Sequence, residues 1–166
     1  GTGDRLPPNF SFAGYRLFPT LLAWLTTPLI LLTIVTLTES FAMGLMASAL
    51  YTFDNAIIVH SRAAMLESTQ LFFTVLALLA FFTMVRHKSG TVALAALSTI
   101  CGTAIAATIA TKANSLLLVL LIPLLLVVPR KLSVKLRCFA VVIAILTSLV
   151  VYFGIWRVHF LLGERR

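Results

Sequence analysis

The sequence predicts an all-α protein, a polytopic bundle of membrane-spanning helices, and three observations carry that prediction. The chain is 60% hydrophobic and only 11% charged, against about 45–50% and about 25% in soluble domains, and its mean hydropathy is +1.06. Its apolar residues fall in runs near the length of a membrane crossing, about 20 residues at about 1.5 Å each for a hydrocarbon core of about 30 Å. No run alternates apolar and polar residues with period two, which disfavours a β-barrel.

Six spans are expected within a single transmembrane domain, at 17–38, 41–59, 68–85, 89–111, 113–129 and 138–156. The first holds Pro28, where a kink is expected. The second is rich in small residues (Ala42, Gly44, Ala47, Ser48, Ala49) that permit close helix packing. Its charge-free part ends at Phe53 and covers roughly 20 Å, so Asp54 and Asn55 are expected below the far membrane surface. The fifth is short and holds Pro123. The opening Gly1-Thr2-Gly3-Asp4-Arg5 is polar and turn-like, with no secretory leader pattern and no initiating Met. Together with the abrupt Glu164-Arg165-Arg166 end, this reads as a segment of a longer protein.

Composition also narrows the function classes. The net charge of +8 does not point to nucleic acid, because most Lys and Arg sit in short loops beside apolar runs, as topology signals and lipid-headgroup contacts do. Cys101 and Cys138 have no CxxC or Cys/His spacing around them, so neither a disulfide framework nor a structural metal site is expected. The compact basic loops Arg86–Lys88 and Arg130–Arg137 assign their side to the cytoplasm. That orientation rests on loop compactness, since Arg5, Arg16, Arg62, Lys112, Arg157, Arg165 and Arg166 lie on the other side.

One stretch stands apart. Phe53-Asp54-Asn55-Ala56-Ile57-Ile58-Val59-His60-Ser61-Arg62-Ala63-Ala64-Met65-Leu66-Glu67-Ser68 gathers Asp, His, Arg and Glu between two long apolar runs. Ionisable groups at membrane depth are costly unless they face a bundle interior or wet cavity and find partners. Asp54 and Asn55 have two readings: a helix-end or buried hydrogen-bonding pair, or part of a site for a lipid phosphate or sugar. Arg62 and Glu67 are candidates for an ion pair linking two helix ends, in a structural or a functional role. Arg16 and Lys112 either snorkel to the interface or, on the same membrane face, hold an anion as Arg and Lys commonly do. His159 is either an interfacial residue or a base. Tyr15, Trp24, Tyr152 and Trp156 fit interfacial belts or bundle packing.

The same stretch resembles the Asp-Asn…Ser-Arg…Leu-(Asp/Glu)-Ser signature of the protein O-mannosyltransferases, glycosyltransferase family 39. Tyr15-Arg16-Leu17-Phe18-Pro19-Thr20-Leu21-Leu22 with Thr27-Pro28-Leu29, Gly102…Thr111-Lys112, and Val158-His159-Phe160-Leu161-Leu162 are similar to further family segments in the same order. The resemblance covers nearly the whole chain, as the family's second to seventh helices of a GT-C-like glycosyltransferase membrane domain. It implies transfer of mannose from dolichyl-phosphate-mannose to Ser/Thr hydroxyls of proteins, with no cofactor and no metal. The implied donor-phosphate residues are Arg16, Arg62 and Lys112, with Asp54, Asn55, Ser61, Glu67, Ser68 and His159 organising the site. Position 67 carries Glu where many members have Asp. The family's catalytic acidic residue belongs to its first luminal loop, which the resemblance sets upstream of Gly1. No catalytic residue is therefore assigned within these residues, and the segment is expected to be inactive alone. The implied partners are the lipid-linked donor, an acceptor polypeptide, membrane lipids and a homologous subunit in a dimer, with no nucleic acid. The implied location is the endoplasmic reticulum membrane in a eukaryote, or the plasma membrane in a prokaryote.

Two other classes compete. One is another polyprenyl-phosphate-sugar-dependent transferase of the same architecture, acting on a lipid or polymer. The other is a transporter or scaffold subunit. A transporter favours broken helices at matching positions of two halves, and no inverted similarity surrounds Pro28 and Pro123.

Overall fold

Every backbone polar group in lipid must be satisfied within its own segment, so the apolar runs fold as helices. The computed structural model describes residues 12–54, 66–86, 90–129 and 131–163 of the chain, and no strand occurs among them. The helices are α1 (Phe12–Thr38), α2 (Phe41–Phe53), α3 (Leu66–Arg86) and α4 (Thr91–Thr111), then a 3-10 segment (Ala113–Leu120) that continues as α5 (Leu121–Val127), and α6 (Val134–Gly163). Among the described residues, α1, α3, α4 and α6 contain stretches long and apolar enough to cross a membrane. The chain is an integral membrane protein.

The elements differ from the expected spans in ways that geometry explains. α1 continues through both Pro19 and Pro28, so the missing donor at Pro28 does not divide the helix. α2 stops at Phe53 and Asp54 takes an extended conformation as its C-cap, whereas the pattern suggested a helix to Val59. Residues 55–59 lie outside the described residues. The fifth run begins as eight 3-10 residues before seven α residues. A 3-10 helix rises about 2.0 Å per residue against about 1.5 Å. The short run therefore reaches roughly 26 Å, most of the way across the core. Pro123 sits in the first turn of α5, where its missing N–H is least felt. α6 has 30 residues, roughly 45 Å long, so it extends beyond the hydrocarbon.

An apolar core (Met84, Leu94, Ile105, Leu125) is surrounded by an exterior that is also apolar. Leu, Val and Phe side chains cover the exterior, while Thr26, Ser98, Cys101, Ala104, Thr108 and Ala144 are buried. Buried hydroxyls need partners, and Thr26, Ser98 and Thr108 each donate to the carbonyl four residues back, at 2.7 Å. α4 is the central element, packed against α3, α6 and the 3-10 segment, while α1 packs on α3 and α2 on α1. Small residues set these distances. A Cβ on Gly102 would collide with the Ala144 carbonyl oxygen and Thr147 Oγ1, and Ser148 Oγ donates to the Gly102 carbonyl at 2.9 Å. A Cβ on Gly44 would lie 2.9 Å from the Leu31 carbonyl oxygen of α1.

The turn between α1 and α2 is tight. Glu39 adopts φ 59°, the left-handed region that closes many helices, and its N–H donates to the Val35 carbonyl at 2.8 Å. Ser40 caps α2 by accepting from the Met43 N–H. At this end Arg86 of α3 pairs with Glu39 at 2.6 Å and also donates to the Leu37 carbonyl. Lys131 donates to the Arg86 carbonyl at 3.0 Å, which brings the α5–α6 connection to the same rim.

Two measurements check this arrangement. Gly102→Val should lower the unfolding free energy by about 1–3 kcal/mol or more through overpacking. Gly154→Val, with open space around its Cα, should leave stability unchanged. In a Cys138→Ser background, cysteines at Ser133 and Gly163 should label from opposite membrane sides, Ser133 from the cytoplasm. Labelling of both from one side would overturn the path of α6.

Candidate functional site

The contacts at the Arg86 rim fix what shares the opposite rim. Arg86 ends α3 beside the end of α1, so the two helices run parallel from the start of the shorter α3 to this rim. α2 returns along α1, with Tyr51 donating to the Ala23 carbonyl and the Thr27 and Thr52 hydroxyls 3.3 Å apart. α4 runs antiparallel to α3, Cys101 reaching the Ala77 carbonyl and Ser98 reaching Met84. Asp54, which follows the short α2, lies deeper, near the middle of α1, because Thr52 meets Thr27 and Tyr51 meets Ala23. Arg16, Glu67, Ser68 and Lys112 consequently lie toward one end of the bundle. His159 joins them from α6, lining a cavity of about 140 Å³ with Ala110, Ile155 and Trp156. Asn55, Ser61 and Arg62 lie outside the described residues.

The centre of this rim is Lys112. Its backbone is extended, it closes α4 by donating its N–H to the Thr108 carbonyl at 3.0 Å, and it opens the 3-10 segment. Its carbonyl accepts the Ser115 N–H at 3.1 Å. Its ammonium lies 2.9 Å from Glu67 Oε1, in the first turn of α3, with 42% and 43% of the two side chains exposed. A carboxylate in the first helical turn is favoured by the helix dipole, so Glu67 is a stable anchor. The pairing proposed for Glu67 from sequence was with Arg62, whose position is outside the described residues. Lys112 is a partner that sequence reasoning did not name.

Ser68, beside Glu67, is buried. One turn further along α3, Gln70 Nε2 donates to Ser115 Oγ at 2.6 Å, and Ser115 is also buried. Neither Gln70 nor Ser115 stood out in the sequence. The available signal was spacing, since Gln70 lies three residues after Glu67 and so shares its helix face. Arg16 is exposed on the first described turns of α1, where its carbonyl accepts from Thr20 Oγ1 at 2.8 Å. Asp54 is exposed at the end of α2. The His159 ring stands edge-on to Trp156 at 5.7 Å and lies 6.1 Å from Phe160.

Lys112 has three ammonium donors, so it holds Glu67 and keeps capacity for an anionic oxygen. Arg16 provides a second cation toward the same end of the bundle. Fold and rim together define a class: a polytopic helical membrane protein with a half-exposed Lys–Glu pair at one end of its bundle. Residues 2–162 match the family model for dolichyl-phosphate-mannose-protein mannosyltransferase, and the chain belongs to that family. Protein O-mannosyl-transferase 1 of Danio rerio is 37% identical over 87 residues. The match takes in 52% of this chain and 12% of that relative's length, so the chain spans only a small part of it. No solved structure matches the chain.

The Glu67–Lys112 pair is open to a double-mutant cycle. With Glu67→Gln and Lys112→Met measured singly and together, the coupling should be about 0.2–1 kcal/mol, as for other half-exposed pairs. Zero coupling would mean that the pair does not hold α3 to α4.

Proposed function

We propose that these residues form the donor side of a protein O-mannosyltransferase. In this reading the enzyme moves mannose from dolichyl-phosphate-mannose to Ser or Thr hydroxyls of an acceptor polypeptide. The observation that carries it is Lys112, a cation fixed at a bundle rim by its own backbone bonds and by Glu67, in a chain of the mannosyltransferase family.

In the transfer, the acceptor hydroxyl oxygen bonds to mannose C1 as the C1–O bond to phosphate breaks. The electron pair leaves with the dolichyl phosphate, and the hydroxyl proton passes to a base outside these residues. Charge on the departing phosphate grows as that bond breaks. Fixed cations aimed at it stabilise the transition state without reorganising. Lys112 and Arg16 take that role, with Arg62 as a third cation. Glu67 holds Lys112 in place, while Asp54, Asn55, Ser61, Ser68 and His159 order the surrounding polar groups. The chemistry needs no metal and no cofactor. The segment is inactive without the parts of the protein that supply the base and bind the acceptor. The enzyme works in the endoplasmic reticulum membrane in a eukaryote, or in the plasma membrane in a prokaryote, paired with a homologous subunit.

The test uses the full-length enzyme containing this segment. Arg16→Ala or Lys112→Ala should lower kcat/KM for the lipid donor by about 10²-fold or more, as removal of other charge-stabilising donors does. Arg16→Lys should keep part of the rate, since it keeps the charge and loses the fork. Unchanged donor kinetics in both alanine variants, in protein that inserts and folds, would refute the assignment.

A further inference from the structure

We propose that Gln70 and Ser115 are positioning residues for Lys112, a pin that fixes where its ammonium points; this deepens the donor-site reading above and rests on it. Three observations converge on the pin. Lys112 is the extended junction between two helices of different type, and a 3-10 run of eight residues is long for that geometry, whose hydrogen bonds are poor. Such a segment does not hold its own register firmly. Ser115 then ties the junction at two points, because its N–H donates to the Lys112 carbonyl at 3.1 Å while its Oγ accepts from Gln70 Nε2 at 2.6 Å. Gln70 in turn lies on the same face of α3 as Glu67, which grips the Lys112 ammonium at 2.9 Å.

One face of the first turns of α3 therefore holds Lys112 at both ends, its charge directly and its backbone through Ser115. The Gln70–Ser115 bond is made between partners 45 residues apart, and burial of Ser115 shields it from competing water. Without it, the Ser115 side chain no longer ties the start of the 3-10 segment to α3. The Lys112 backbone then shifts against the carboxylate that anchors its side chain. Small displacements of a charge-stabilising group reduce rate strongly even when the group itself is present.

The pin predicts a pattern of kinetics that ordinary structural damage does not produce. In the full-length enzyme, Ser115→Ala and the similarly sized Gln70→Met should each lower kcat/KM for dolichyl-phosphate-mannose by roughly ten-fold. KM for an acceptor peptide should remain unchanged, and the thermal unfolding midpoint should fall by no more than a few degrees, the cost of one lost hydrogen bond. Ser115→Thr, which keeps the hydroxyl, should restore most of the activity. In a Lys112→Ala background, Ser115→Ala should cost nothing further, because the pin acts only through Lys112. Wild-type donor kinetics in both pin variants would overturn the pin alone, provided Lys112→Ala is impaired. A full additional loss on top of Lys112→Ala, or acceptor and donor parameters falling together, would also overturn it. If Lys112→Ala itself is unimpaired, the donor-site reading fails and the pin fails with it.

Discussion

Surrounded by lipid, these helices gain little from hiding apolar side chains from one another, since hydrocarbon outside is as apolar as Leu inside. What draws them together is close approach, and that depends on residues too small to hold backbones apart. The contact of α4 with α6 at Gly102 is the clearest case: no Cβ fits against the Ala144 carbonyl, and the space left admits the Ser148 hydroxyl to the Gly102 carbonyl. α4 is also the element against which α3 and the 3-10 segment pack. The position of Lys112 at its end is thus inherited from contacts deep in the bundle.

Polar bonds lock the two rims in complementary ways. At one rim Arg86 reaches Glu39 and the end of α1 while Lys131 reaches the Arg86 carbonyl, so one residue joins three parts of the chain. At the other rim Glu67 and Gln70 of α3 reach Lys112 and Ser115 across the α4 junction. α3 is the helix common to both clamps. It packs along α4 and meets the Lys112 end of that helix through Glu67. The Arg86 guanidinium is taken up by Glu39 and the Leu37 carbonyl. Lys112, by contrast, has ammonium donors beyond the one carboxylate it is paired with.

Irregular backbone also marks the part of the chain where recognition of an anionic group is proposed. Among the described residues, Lys112 is extended and the 3-10 segment leads away from it. Non-helical backbone is tolerated near membrane depth where protein groups or water satisfy it, and at Lys112 the satisfaction is visible in the bonds to Thr108 and Ser115. The 3-10 geometry also solves a length problem, carrying a run too short for an α-helical crossing across most of the core.

By itself the sequence determined the class of the protein. Runs such as Ser89–Thr111 and Cys138–Trp156 are apolar enough that only helices in lipid accommodate them. The clustering of Asp54, Arg62 and Glu67 marked one stretch as polar at a cost, and the motif around it pointed to the family. The partners were not legible. Helices that are apolar on every side carry no stripe to say which face meets which neighbour, so nothing in the pattern aims Glu67 at Lys112 or Gln70 at Ser115. The end of α2 at Phe53 and the 3-10 start of the fifth run were equally hidden, because local propensity there yields to span length and packing. Those choices belong to the tertiary structure, where small-residue contacts fix helix heights to within a side chain's reach and thereby select the polar groups that meet.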